Sequence, residues 1–487
     1  MADQPGGYSP HVEWTDHTPA RPNDYARYLR RFHETLDALT ELVTDVASYA
    51  ASLDSPERVS AQFSELLAQA PAEERQAIRS AKVSLEAFAD GEVAWTDWDE
   101  GGREGPEPDR RDVAQAFADF AVTLLESAEQ KGWAIDVLSA ARSAINRRPR
   151  QPLLFQALLT SVVTSFEVVF ASLAAQYFER GSTGELDDSE FTLADLKALG
   201  SIEAARQLAI DRRVDRLMYG SFDSWCAWYK RSLGFDPEKH AMDWTRLREI
   251  MQRRHVIVHN DGLVSARYLE DQPALKQSLK VGQSLPVDEE YVRIAIDEFL
   301  VFGTRLMTLA WGKFEPQRSG EIFDALHGVI YQLVLSGRWT AVQELAKSAS
   351  DWDSSESGTH LGRCNYWLAR KRLSGCGSIR DEVEAWDTSA LSLKYVLAQH
   401  ALLDEIPAAL SVMAKALAAG VVERRDLYEW PLLEEVRSDP GFIPLIGEDT
   451  SDSAKDPAVS GHRAAGDSES RDQLDKPAGR DDRSGDS

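Results

Sequence analysis

The sequence has few cysteines and lacks the short motifs that identify several common enzyme classes. Only Cys226, Cys364 and Cys376 occur among 487 residues, and no Cys-x-x-Cys pair is present. This excludes a disulfide scaffold, argues against structural zinc, and fits a reducing, cytoplasmic compartment. A glycine-rich phosphate loop and a Gly-x-Ser-x-Gly elbow are also missing, which leaves P-loop nucleotide hydrolysis and ordinary serine hydrolysis without support.

Positive charge is also scarce. The chain carries 54 Lys and Arg against 80 Asp and Glu, a formal net charge of -26. The field of the whole protein therefore repels phosphate, so any contact with nucleic acid has to be local. Between Glu203 and His259 the balance reverses, with eleven Lys or Arg against eight Asp or Glu. This stretch is the local basic patch where a contact with nucleic acid would be expected.

No long uninterrupted apolar run is present, and the first residues lack the basic patch and apolar stretch of a secretory signal. The most apolar segment, residues 153–175, is interrupted by serines, threonines and Glu167. A bilayer span is a poor interpretation of such a segment, so we expect a buried helix, no membrane association and a cytoplasmic location.

Apolar residues recur three or four positions apart through most of the chain, which predicts an all-α fold. The length exceeds what one core usually accommodates, so several units are expected. We predict a disordered start at 1–24, an N-terminal helical region at 25–148, a central helical bundle at 150–315, an array of helical hairpins at 320–446 and a disordered acidic tail at 447–487.

Capping residues place several helix ends. In the central bundle Asp243 is a candidate N-cap for a helix over 244–258, the run 260–262 (Asn-Asp-Gly) is a stop signal, and Asp288 should cap the last helix. Toward the C-terminus the periodicity predicts helices over 322–335, 339–349, 364–373, 391–403 and 408–417. Their small-residue faces suggest hairpins of the tetratricopeptide type, without a fixed repeat length.

The most informative stretch lies at the end of the helix over 244–258. Residues 253–262 read Arg-Arg-His-Val-Ile-Val-His-Asn-Asp-Gly, so Arg254 is followed by the polar His255 and, five positions on, by His259. This pattern resembles the HEPN motif. Further landmarks extend the resemblance to residues 153–314, about a third of the chain: Ser165 to Glu167, Ser221 to Trp225, Val264, Tyr268 and Tyr291 to Trp311.

The resemblance implies a metal-independent endoribonuclease of the toxin or antiphage-defence type, which needs no cofactor and leaves 2',3'-cyclic phosphate ends. Arg254 and His259 would be catalytic, supported by Arg253, His255, Asn260 and Glu167. Histidine suits proton transfer because its ordinary pKa is about 6.5, and guanidinium stays charged beside phosphate. On one helix Arg254 and His259 lie about 140° apart. The family pairs two such helices from two protomers, so the resemblance also implies a homodimer.

Several alternatives remain open. The cluster of charges could be a solvated helix end that complements the helix dipole. His255 and His259 have the spacing of a helical metal site, but no third ligand or following glutamate accompanies them, so no metal is expected. The bundle could also be an inactive RNA-binding or dimerisation module, or the chain a helical adaptor whose C-terminal array binds a protein partner. The aromatic residues Trp225, Trp228 and Tyr229 could stack bases, but a core position is favoured.

Overall fold

The computed structural model describes residues 25–53, 150–180, 190–349 and 356–447, together with Trp352 and scattered positions between 121 and 139. The predicted disordered ends, 1–24 and 447–487, lie outside the described residues apart from Gly447. Most of the predicted N-terminal region beyond residue 53 lies outside them as well.

The all-α prediction is confirmed, since about 80% of the structure is helical and the described residues form no strand. One isolated antiparallel bridge joins Leu263 to Ser284. The described residues from 25 to 314 form eight α-helices: α1 (Tyr25–Leu53), α2 (Arg150–Glu179), α3 (Leu193–Leu199), α4 (Ile202–Met218), α5 (Phe222–Leu233), α6 (Trp244–His259), α7 (Ala266–Asp271) and α8 (Glu289–Phe314).

Shorter helices fill the C-terminal part. They are α9 (Ser319–Leu335), α10 (Trp339–Ala349), α11 (Glu356–Ser374), α12 (Arg380–Glu384), α13 (Leu393–Leu402), α14 (Ile406–Ala418), α15 (Arg424–Glu429), α16 (Glu434–Arg437) and α17 (Phe442–Ile446). Consecutive helices pack on each other, α9 on α10, α10 on α11 and α13 on α14. The predicted helices are present with ends within a few residues, except that α11 begins eight residues earlier. The tetratricopeptide-like character stays a prediction.

Helices α2 and α8 form the centre of the fold, and α1 packs against both. Phe166 on α2 contacts two rings of α8, with centroids 5.0 Å from Phe299 and 5.4 Å from Phe302. From α5, Trp225, Trp228 and Tyr229 are buried in the same core, which confirms the core interpretation of these aromatics. Burial of rings on this scale is a main source of folding free energy.

Helix α2 passes a length and composition test for crossing a bilayer, with a mean hydropathy of 1.8 over its most apolar window. Half of that window is buried inside the fold. A core helix passes the same test, so one such helix is weak support for a membrane span.

Among the described residues, one hydrophobic core cluster includes side chains from every part of the chain between Tyr25 and Ile446 that contributes to it, from α1 to α17. The partly buried Arg338 adds polar connections between its parts: it pairs with Asp37 of α1 at 3.5 Å and with Asp297 of α8 at 2.5 Å. The C-terminal helices therefore pack directly on the central bundle, and the predicted boundary between 315 and 320 separates groups of helices that share a core.

Candidate active site

Helix α6 carries the motif, and local interactions fix both of its ends. The Asp243 side chain accepts a hydrogen bond from the Arg246 amide, as predicted for an N-cap. At the other end the amides of Asn260 and Gly262 donate to the Val256 carbonyl, and Gly262 has a φ of 70°. The helix therefore stops directly after His259, as the sequence predicted.

The turn that ends α6 also packs against α2. A Cβ at Gly262 would lie 3.0 Å from Nε2 of Gln156, a buried residue of α2. Asn260 is exposed, and its side-chain amide donates to the Leu263 carbonyl. Asn260, predicted as a supporting residue, thus holds the turn and through it the position of the helix end.

Arg253 points into the protein, away from the candidate site. Its guanidinium donates to Glu249 at 2.7 Å and to the Pro286 carbonyl, and lies 4.1 Å from the centre of the Tyr291 ring. Glu249 also accepts hydrogen bonds from the hydroxyls of Tyr268 and Tyr291. This buried cluster joins α6 to α7 and α8, so the structure gives Arg253 a role in the core.

Arg254 points toward α2. Its Nη2 lies 3.2 Å from Oε2 of Glu167, with about a quarter of the Arg254 side chain and a fifth of the Glu167 side chain exposed (25% and 21%). Burial raises the pKa of Glu167, and the charge of Arg254 opposes that rise. The Arg254 Nε atom is buried without a hydrogen-bond partner. The expected pairing of Glu167 with the motif arginine is therefore present.

His255 and His259 lie together on the exposed face of α6. Their ring centroids are 4.6 Å apart, and both residues are exposed to solvent. Partial burial, together with the charges of His259, Arg254 and Arg267, lowers the pKa of His255. His255 is accordingly neutral at neutral pH and able to accept a proton.

Arg254 and His259 themselves do not meet within one chain. No hydrogen bond or contact joins their side chains in the described part of the protein, where Arg254 turns to α2 and His259 to solvent. This agrees with their separation of about 140° around the helix. Among the described residues, no group of three or more His, Cys, Asp or Glu could hold a metal ion.

The basic patch is partly neutralised. Lys230 pairs with Asp236 at 2.6 Å, and Arg248 pairs with Asp223 at 2.9 Å. Both aspartates are among the eight acidic residues already counted, so these pairs leave the surplus of positive charge unchanged and only reduce the number of unpaired cations.

Two contributions were missed by sequence reasoning. The exposed Arg267 is close enough to His255 to influence its titration, yet it lies twelve residues further along the chain. Glu249 anchors Arg253, and its position four residues earlier on the same helix was a usable signal for that pair.

Comparison with known proteins found no matching family model, no matching curated protein and no matching solved structure.

Proposed function

We propose that the chain is a metal-independent endoribonuclease whose active site is built at the end of α6. One observation carries the proposal: Arg254 is held by Glu167 beside an exposed pair of histidines, His255 and His259. Cleavage of RNA requires groups that transfer protons and a cation that stabilises the phosphoryl oxygens, and imidazole side chains beside a fixed guanidinium can supply both. The HEPN resemblance of the sequence points to the same chemistry, and the toxin or antiphage role rests on that resemblance alone.

The proposed reaction transfers the phosphoryl group within the RNA. A histidine takes the proton of the 2'-hydroxyl, and the 2'-oxygen attacks the adjacent phosphorus. The bond from phosphorus to the 5'-oxygen breaks, and that oxygen receives a proton from a second histidine. Arg254 stabilises the charge that develops on the phosphoryl oxygens. The products are a 2',3'-cyclic phosphate and a 5'-hydroxyl.

A second copy of the chain would complete the site, because Arg254 and His259 diverge on one helix. Helix α2 offers a surface for such a dimer next to Glu167. This surface is a stripe of exposed side chains at helical spacing, with Leu153 49% and Val168 60% exposed, and consists of Leu153, Ala157, Ser161, Thr164 and Val168. A C2 dimer built on this stripe would bring two α6 ends toward one cleft.

Cleavage of labelled total RNA in the presence of a chelator tests this proposal. We expect wild-type protein to leave 2',3'-cyclic phosphate ends, and His259→Ala to lose at least 100-fold in rate, on the order of what general acid-base catalysis contributes. The matched control is His400→Ala, which removes a surface histidine of α13 that pairs with Glu405. Intact RNA with wild-type protein, or equal cutting by His259→Ala, would contradict the proposal.

The main alternative is an inactive RNA-binding or dimerisation module, and the lack of contact between Arg254 and His259 favours it. In that case RNA would bind without being cut. A protein adaptor is favoured only by exposed apolar side chains near the C-terminus, such as Val421, Tyr428 and Ile443. An adaptor would neither bind nor cleave RNA.

A further inference from the structure

The exposed face of α6 continues well beyond the two histidines. Arg248, Gln252, His255 and His259 follow each other at intervals of four, three and four residues, so they share one face of the helix. Arg248 lies about 10 Å before His255 along the axis, at 1.5 Å per residue. The candidate site is thus one end of a polar strip along α6.

The other end of this strip lies at the junction of α4 and α5. There Nη2 of Arg248 contacts Oδ2 of Asp223, in the first turn of α5, at 2.9 Å. Both side chains remain largely open to solvent, 43% and 61% exposed. A phosphate could therefore reach Arg248 without displacing buried structure.

Tyr219 stands at the same junction. It follows the last residue of α4, and its 93% exposure leaves the ring uncovered. Asp223 follows Tyr219 by four positions, so the chain holds their Cα atoms within about 14 Å of each other. Arg216, also exposed, precedes Tyr219 by three residues, which places the two side by side at the helix end.

An uncovered aromatic ring beside exposed arginines is the combination with which proteins bind single-stranded nucleic acid. The base stacks on the ring, and the cations contact the phosphates. The charge pattern also fits, because residues 203–259 carry surplus positive charge in a protein whose net charge is -26. A duplex would not fit equally well, since its bases are already stacked on each other.

We propose that single-stranded RNA lies along α6, from the histidines to the junction of α4 and α5, with a base stacked on Tyr219 and phosphates at Arg248 and Arg216. This deepens the proposed function and rests on it for the identity of the ligand. According to this proposal, the enzyme cuts unpaired RNA and also binds the same strand several nucleotides away from the scissile bond.

Fluorescence anisotropy with a labelled uridine oligonucleotide of about twelve nucleotides tests the strip. The measurement uses the full chain carrying His259→Ala in a chelator, so that binding is observed without cleavage. Adding Tyr219→Ala should weaken binding about 5- to 100-fold, and Tyr219→Phe should restore it. The matched control is Tyr428→Ala, which removes an exposed ring of α15. Arg216→Ala should weaken binding and reduce its salt dependence.

Several results would overturn the proposal: no binding, no effect of Tyr219→Ala, a Tyr219→Phe variant as weak as Tyr219→Ala, or equal affinity for a hairpin duplex. If poly-glutamate bound as tightly as the oligonucleotide, the surface would be a patch of cations that binds any polyanion, and the proposal would be wrong. The cleavage experiment separates this failure from that of the proposed function. If cleavage depends on His259 but not on Tyr219, the proposed nuclease stands and the proposed RNA-binding strip is wrong. If RNA binding depends on Tyr219 but wild-type protein does not cut RNA, the strip stands and the proposed nuclease is wrong.

Discussion

Arg253 and Arg254 are adjacent in the chain and have opposite environments. Arg253 is buried among Glu249, Tyr268 and Tyr291, whereas Arg254 reaches Glu167 at the surface of the bundle. The sequence shows two arginines near a helix end and does not say which one faces inward. The inward direction depends on which side of α6 faces the core, and the packing of α6 against α2 and α8 determines that side.

This difference predicts that substitution of Arg253 mainly lowers stability, whereas substitution of Arg254 mainly lowers RNA cleavage. Arg253→Met should cost about 3–5 kcal/mol of unfolding free energy, because the Glu249 carboxylate would remain buried without its cation. Arg254→Ala should cost about 1 kcal/mol or less, since its ion pair is partly solvated, while abolishing RNA cleavage. Urea unfolding of both variants measures the stability changes. Equal loss of stability in the two would show that the assignment of the buried arginine is wrong.

At the scale of elements, the start of α6 depends on α8. The backbone amide of Asp243, the N-cap of α6, lies 3.3 Å from Oε2 of Glu298 on α8. Burial raises the pKa of Glu298 to about 7, with the Asp243 amide and Arg246 opposing the rise. The folded protein therefore holds a proton on Glu298 at pH values where the unfolded chain has released it.

This linkage makes stability depend on pH. Because the pKa of Glu298 is higher in the folded state than its ordinary value of 4.5, its contribution to stability is complete below about pH 4.5 and is lost as the pH rises through about 7. Glu298→Gln keeps an acceptor for the amide and removes the titration. As the pH rises from 5 to 8, we expect the stability of the variant to increase by about 2–3 kcal/mol relative to wild type.

Urea unfolding at the two pH values measures this difference. Glu290→Gln provides the control, since it removes one exposed carboxylate from the same helix. A difference between Glu298→Gln and wild type that is the same at pH 5 and pH 8 would contradict the burial of Glu298.

The sequence was most informative about helix ends. Asp243, Asp288 and the Asn-Asp-Gly stop are local signals, and the structure uses each of them as predicted. Contacts between distant residues were harder to predict. The pairing of Glu167 with Arg254 spans 87 residues and was only expected from the cost of burying a lone carboxylate. The first turn of α11 contains Ser357, Gly358 and Thr359, which are weak helix formers without apolar periodicity, so the sequence pattern did not reveal its early start.

At the scale of the whole molecule, the shared core explains how a surface site is held in place. Helix α2 supplies Glu167 to the site and Phe166 to the central aromatic cluster, so the same helix positions the motif and anchors it in the core. Composition and periodicity predicted the helical bundle, but they could not predict that the C-terminal helices would pack on it, because such contacts depend on three-dimensional packing.

The central claim is that Arg254 and His259, which diverge within one chain, act together across two copies of the chain. Mixing Arg254→Ala and His259→Ala proteins after joint refolding tests this claim most directly. If half of the dimers are mixed and each contains one complete site of two, about a quarter of the wild-type cleavage rate should return. No activity in the mixture, with active wild type and both variants folded, would contradict a site shared between two chains.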